Sequence, residues 1–194
     1  MNKGNPAKRA AFLERLQGML NDALNHRCLL IYIDEAHIHL DMDTGYGWSI
    51  RGERFWVSSS SLRQATVSFY EVYLYNLGQV RVFACDKAYQ FNIIDALKRL
   101  RAEFPHVPLE LVCDRAPYHR NQAGQSAATT LGITLEPLPA YSPDFMPNEH
   151  LRQWLREDVT IDTCYASKAG LRQRVEQFQP EINAAPLPLL TAYR

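Results

Sequence analysis

Residues 28–35 read CLLIYIDE, six apolar or aromatic positions followed by two carboxylates. A short run of this composition is a buried strand, because it is too brief for a helix and rich in β-formers. A second run, LELVCD at 109–114, also ends in an aspartate. Between them, ATVSFYEVYLYNLGQVRVFACD (65–86) sets β-formers on both sides of Asn76-Leu77-Gly78, and Val80 and Val82 alternate with Gln79 and Arg81. That pattern predicts a hairpin. YQFNIIDALKRLRAEF (89–104) places Ile93, Leu97, Leu100 and Phe104 at helical spacing, and Pro105 and Pro108 stop it.

Outward from these segments, NPAKRAAFLERLQGMLNDALNHR (5–27) predicts a helix with Leu13, Leu16, Leu20 and Leu24 on one face. TGYGWSIRGERFWV (44–57) reads as turns around a short strand. Residues 120–131 are weakly helical, ITLEPLP (133–139) is a short strand, and helices are expected over about 147–159 and 168–178. The order of strands and helices predicts an α/β domain with a mixed sheet flanked by helices, the hairpin supplying its antiparallel part. The expected division is an N-terminal helical segment (1–27), a domain over 28–165, and a C-terminal helix and tail (166–194).

The 194 residues suffice for one core, with 46% hydrophobic and 22% charged positions. Basic and acidic residues number 21 each, so the formal net charge is zero. A general polyanion binder is usually basic, so any nucleic-acid contact must come from local patches. Cys28, Cys85, Cys113 and Cys164 form no C-x-x-C pair, and three lie in apolar runs, as thiols of a reducing compartment do. No apolar run is long enough for a membrane span and no signal-peptide core opens the chain, so a cytoplasmic location is expected.

Asp34 and Asp114 both close apolar strands, and in open α/β sheets sites form at the carboxyl ends of strands. A third acid is delivered differently. LPAYSPDFMPNEHLRQWL (138–155) carries Pro139, Pro143 and Pro147 at four-residue spacing and runs into a helical pattern with Glu149 in its first turn. Three carboxylates from distant segments can hold hard divalent cations such as Mg²⁺, which want oxygen ligands. Two such ions about 4 Å apart clamp the attacking and leaving oxygens of a phosphodiester. Arg152 and Arg156 follow Glu149 at i+3 and i+7, opposite Leu151, Trp154, Leu155 and Val159. With Arg51, Arg54, Arg115 and Arg120 they are candidate phosphate contacts.

Plainer roles fit the same residues. A strand-end aspartate serves turns, Glu149 can serve the helix dipole, and Pro147 is a favoured first helical residue. His37, His39, His119 and His150 lie near the acids without metal-binding spacing, so hydrogen bonding to acids or backbone is their simpler role. No Walker loop, G-x-G-x-x-G or G-x-S-x-G is present. On pattern alone, both readings of the acids stand.

IYIDEAHIHL, LVCDRAPYHR and LPAYSPDFMPNEHL resemble the three acidic blocks of mariner-like transposases, in their bacterial insertion-sequence branch. Thirty-four residues separate Asp114 from Glu149, as is typical of that superfamily. GYGWSIRGER is similar to the family's block between the first acids. The resemblance covers about residues 28–160 and implies an RNase H-like fold. It implies that Asp34, Asp114 and Glu149 are catalytic and hold two Mg²⁺ (or Mn²⁺) ions. It also implies hydrolysis at transposon ends followed by strand transfer into target DNA, by a homo-oligomer on DNA.

Three departures stand out. The family's Asn after the second acid is Arg115, and its Asn before the last proline is Met146, which cannot cap a helix start as Asn does, though Asp144 can compensate. Fewer than thirty residues precede the first strand, where complete members carry helix-turn-helix modules, so the chain resembles a catalytic domain alone: one half of a split or frameshifted gene with recognition in a separate chain or upstream frame, a truncated remnant, or an excised piece. A decayed or domesticated copy without cleavage activity, and a stand-alone RNase H-like nuclease, are the alternatives.

Overall fold

The computed structural model describes residues 4–41, 48–54, 56, 66–85, 90–114 and 122–184. Among them run α1 (Pro6–Leu24), β1 (Leu29–His39), β2 (Thr66–Leu74), β3 (Gln79–Cys85), α2 (Gln90–Glu103), β4 (Leu109–Cys113), α3 (Gln122–Thr130), β5 (Ile133–Pro137), α4 (Asn148–Val159) and α5 (Lys168–Ala184). The five strands form one sheet in the order β3-β2-β1-β4-β5. β1–β2 and β2–β3 are antiparallel, while β1–β4 and β4–β5 are parallel. The mixed α/β sheet expected from the sequence is therefore present, with the 65–86 hairpin as its antiparallel part.

Alternation along the strands builds two apolar layers. Leu30, Tyr32, Val67, Phe69, Tyr73 and Val112 face α1, α4 and α5. Leu29, Ile31, Ile33, Tyr70, Val72, Leu109 and Leu111 face α2 and α3. Because β1 from Leu29 to Ile33 is buried on both faces, that stretch reads as a continuous apolar run rather than an alternating one, as central parallel strands do.

The first helix starts where Asn5 accepts hydrogen bonds from the Ala7 and Lys8 N–H groups, with Pro6 as first helical residue. Its buried stripe is Phe12, Leu16, Met19 and Ala23, one position round from the expected leucines. Leu13 and Leu24 are exposed, and Leu20 only partly buried. The larger ring decides the rotation: Phe12 stacks on Phe145, 5.3 Å between centroids.

Two further differences have local causes. Described residues 48–54 and 56 contain a turn, with Glu53 N–H donating to Ile50 C=O, and no strand. The last helix continues past Phe178 to Ala184 although Pro180 lies inside it. Side chains beyond the expected end hold it to the sheet. Gln179 accepts from Val82 N–H at 2.8 Å, and Asn183 both accepts from Val80 N–H and donates to Val80 C=O. These contacts override the helix-breaking preference of proline.

The hairpin turn is tied to both α1 and β1 by one side chain. Asn76 donates to Ala23 C=O at 2.8 Å and Cys28 C=O at 2.9 Å, and accepts from Leu30 N–H at 2.9 Å. Gly78, at φ 60°, closes the turn in the left-handed region that glycine adopts without strain. Asn76→Ala is expected to cost about 1–3 kcal/mol in urea or thermal unfolding, because it orphans part-buried backbone groups. Exposed Leu77→Ala is the control and stays within about 0.5 kcal/mol of wild type; equal effects would show the bridge carries nothing.

Candidate acidic active site

The first strand does not end at its aspartate. It runs to His39 because the antiparallel partner β2 is longer than the parallel partner β4. Pairing with β4 stops at Ile33–Cys113, whereas pairing with β2 continues through Asp34 to His39. Asp34 thus stands where the parallel half of the sheet opens, and Asp114 follows Cys113 at the same opening. Alternation turns both toward the α4 face, as it does Tyr32 and Val112. Glu35 follows Ile31 and Ile33 to the other face, where it pairs with His37 Nε2 at 2.6 Å. His37 Nδ1 contacts Ser68 Oγ at 2.9 Å, so this histidine serves hydrogen bonds. His119 lies outside the described residues.

Glu149 arrives on the first turn of α4. Asp34, Asp114 and Glu149 line one cavity of about 610 Å³, together with Arg152 and the loop 138–143. Three segments far apart in sequence therefore meet at one edge of the sheet. Among the described residues, however, no three His, Cys, Asp or Glu side chains stand grouped as a metal cage. The cation among these acids is instead the Arg152 guanidinium. It donates to Asp34 Oδ2 at 2.5 Å and to Glu35 C=O at 2.9 Å, and its Nη1 lies 3.7 Å from Glu149 Oε1. The arginine expected to grip phosphate sits inside the acidic cavity.

The same guanidinium reaches a fourth acid that sequence reading missed. Glu71 is cross-strand partner of Asp34, is 0% exposed, and has its carboxylate 3.6 Å from Arg152 Nε. Among the described residues neither of its carboxylate oxygens has a hydrogen-bond partner. Its signal was present in TVSFYEVYL, as the lone charge of a strand otherwise made of apolar, aromatic and hydroxyl-bearing residues. Burial pushes its pKa up to about 8 against the pull of Arg152, with Asp34 and Glu149 adding to the rise. Burial also raises Asp34, with Arg152 opposing. Burial would lower the Arg152 guanidinium, but Asp34 and Glu71 outweigh it and the net shift is upward.

The helix start is fixed from several sides. Asn148, fully buried, donates to Glu71 C=O at 2.7 Å and so pins α4 to β2. Leu151, Leu155 and Val159 are each 0% exposed against the sheet. No side chain caps the helix at Pro147. Asp144 does not compensate for Met146, because Arg9 holds it through Nη1 at 3.1 Å and Nη2 at 2.6 Å. Met146 is buried instead, so apolar burial replaces a cap. Arg9 also donates to Ser142 Oγ at 2.7 Å and lies 4.5 Å over the Phe145 ring. Tyr141 takes φ 58°, a left-handed conformation that costs a non-glycine residue about 1–2 kcal/mol.

Of the remaining arginines, Arg156 lines a neighbouring cavity with Glu149 and His150. Arg51 and Arg54 are exposed, Arg54 lying 6.0 Å from the Trp56 ring centre. Arg115 and Arg120 lie outside the described residues. Among the described residues no helix is long and apolar enough to cross a membrane.

Residues 29–171 match the family model described as DDE superfamily endonuclease. A search of curated proteins gives no match. Similar solved structures include the Mos1 transposase paired-end complex with left transposon end, at 16% identity and TM-score 0.68, covering 89% of this chain and 53% of that one. A pre-cleavage Mos1 transpososome gives 15% identity and TM-score 0.67, covering 89% and 54%. The catalytic domain of Mos1 mariner transposase gives 14% identity and TM-score 0.59, covering 91% and 82%. The likeness establishes an RNase H-like fold, and the chain spans about half the length of the transposase chains in the first two.

The Arg9–Asp144 clasp has a pH signature. Its hydrogen bond to Arg9 holds Asp144 below the ordinary 3.8. A depressed carboxylate contributes stability above its unfolded pKa and loses it as pH falls through the folded pKa. Wild type is therefore expected to lose about 0.2–1 kcal/mol more than Asp144→Asn between pH 5 and about pH 2, a small effect because the Asp144 carboxylate is half exposed. Parallel unfolding curves for the two proteins across that window would remove the clasp from the stability of the loop.

Proposed function

Because the chain belongs to the DDE superfamily of endonucleases, we propose that it is the catalytic part of a mariner-like transposase of the bacterial insertion-sequence branch. It hydrolyses phosphodiesters at transposon ends and joins the freed 3′-hydroxyl to target DNA. The observation that carries this reading is the meeting of Asp34, Asp114 and Glu149 on one cavity at the opening of the sheet. The domain runs from about residue 28 to 165. The N-terminal helical segment braces its proline loop, the C-terminal helix packs beside α4, and the protein works in the cytoplasm.

The donor set fits hard divalent cations in kind. It is made of carboxylate oxygens, it has behind it the buried Glu71 carboxylate, which accepts no hydrogen bond among the described residues, and it already accepts one cation, the Arg152 guanidinium. Asp34, Asp114 and Glu149 would hold two Mg²⁺ or Mn²⁺ ions, which supply charge stabilisation to the attacking and leaving oxygens. The chain's own residues do the positioning. Strand pairing presents Asp34 and Asp114 together. Asn148, Met146 and the Arg9 clasp fix the turn that carries Glu149, so little ordering is left to occur on DNA. Arg51, Arg54, Arg115, Arg120 and Arg156 are proposed phosphate contacts, with a homo-oligomer on DNA and a helix-turn-helix module, in this or a partner chain, recognising the ends.

A second reading, a transposase-derived protein that no longer cuts, is favoured by Arg152 standing on Asp34 and by Arg115 and Met146 where the family has Asn. Cleavage separates the two. With end recognition supplied by fusion or in trans, and Mg²⁺ or Mn²⁺ present, wild type nicks end substrates. Glu149→Gln lowers the rate by about 10²–10³-fold, the scale of several kcal/mol of charge stabilisation, while its melting temperature barely moves. Equal rates for the two proteins would take Glu149 out of the site, and no cleavage by wild type would favour the second reading.

DNA binding by this chain alone is expected to be weak, sequence-indifferent and steeply salt-dependent. Arg51→Ala, Arg54→Ala and Arg156→Ala should each flatten the slope of log affinity against log salt by about one, measured by fluorescence anisotropy. A salt-independent, sequence-selective complex would contradict the assignment of these arginines to phosphate.

A further inference from the structure

Arg152 occupies an unusual position for a DNA-contacting residue. Its guanidinium is anchored at one end to Asp34 and the Glu35 carbonyl, and faces Glu149 and Glu71 at 3.7 and 3.6 Å. It is about one quarter exposed, whereas Glu71 is 0% exposed and its carboxylate accepts no hydrogen bond among the described residues. An ionised carboxylate in such a place needs a cation beside it, and Arg152 supplies the one ion pair to Glu71 found among the described residues.

We propose that Arg152 is a tethered cation that holds the divalent-metal position at Asp34, and that Glu71 is the anchor to which it withdraws when metal binds. This rests on the metal-dependent reading above. A divalent ion on Asp34 and the guanidinium now bonded to the same oxygen cannot share that place, since like charges a few ångströms apart repel strongly in a partly buried site. Arg152 must release Asp34 for the site to load. It need not leave the cavity, because Nε already lies 3.6 Å from Glu71 and, among the described residues, no other cation reaches that carboxylate. In that exchange Asp34 would hold the divalent ion, and the guanidinium would stay beside Glu71, 3.6 Å from it already. In the metal-free state the same guanidinium stands between Asp34, Glu71 and Glu149 and offsets their mutual repulsion. Lysine would not serve equally, since a single ammonium lacks the planar fork that touches several acids at once.

The test is Mn²⁺ alone, without DNA, titrated into the metal-free full chain by calorimetry and by electron paramagnetic resonance of free Mn²⁺. Arg152→Gln should bind Mn²⁺ at least about tenfold more tightly than wild type, because no guanidinium has to be displaced. Glu71→Gln should bind it more weakly, because the withdrawn guanidinium loses its anchor. The Glu71→Gln, Arg152→Gln double variant should bind like Arg152→Gln, since Glu71 acts through Arg152. It also covers the case in which Arg152→Gln alone fails to fold around an unpaired Glu71. Asp34→Asn should abolish the site in every background. Asp34-dependent binding that is unchanged or weaker in both Arg152 variants overturns this inference and leaves the metal-dependent reading intact. A double variant as weak as Glu71→Gln would make Glu71 a direct ligand and likewise overturn it. Absence of Mn²⁺ binding in all proteins overturns both.

Discussion

A carboxylate cut off from water must keep a proton or find a cation, and Glu71 sits where that choice governs the surrounding structure. Its strand is the neighbour of the one that bears Asp34, so the two acids share a sheet face by strand pairing alone. The guanidinium that compensates Glu71 comes from α4, and its neighbouring turn carries Glu149. Asn148 bonds to the backbone of Glu71 itself. The helix, the third acid and the countercharge are thereby placed by reference to one buried residue. Hydrophobic burial under Leu151, Leu155 and Val159 supplies the affinity of α4 for the sheet, and the polar contacts decide its register.

The proline loop is stiff for a related reason. Prolines at 139, 143 and 147 limit the backbone, yet Tyr141 is left in a conformation unfavourable for its residue type. Such a conformation persists when surrounding contacts over-determine it. Here they come from the opposite end of the chain: Arg9 holds Ser142 and Asp144, and Phe12 stacks on Phe145. The N-terminal helix thus belongs to the architecture of the site although it contributes nothing to its lining.

Elements with one dominant period were legible in the sequence. CLLIYIDE, LELVCD and the hairpin around Asn76 announced the sheet, and the proline-led run announced α4. The convergence of Asp34, Asp114 and Glu149 followed from strand ends and a helix start. What stayed hidden depended on contacts between distant segments. Two adjacent stripes of α1 are apolar, and choosing between them requires knowing that Phe145 lies opposite Phe12. Extension of α5 through Pro180 depends on Asn183 meeting Val80. The partner of Arg152 could not be read from its helix, because i+3 spacing from Glu149 says nothing of Asp34 or Glu71. Glu71 itself was visible as a charge among aromatic residues, but in a hairpin strand such a charge normally faces water.

The bonds from Gln179 and Asn183 to Val80 and Val82 bear on how the molecule avoids its own kind. Among the described strands β3 is the outermost on the antiparallel side, and its outward N–H and C=O groups would form a template for strand addition by another chain. Amide side chains fill those valences with hydrogen bonds no incoming strand can share. A chain shortened ahead of Gln179 would keep its acids and most of its core yet present a bare, β-branched margin. Its characteristic failure would be self-association through that margin, not loss of fold.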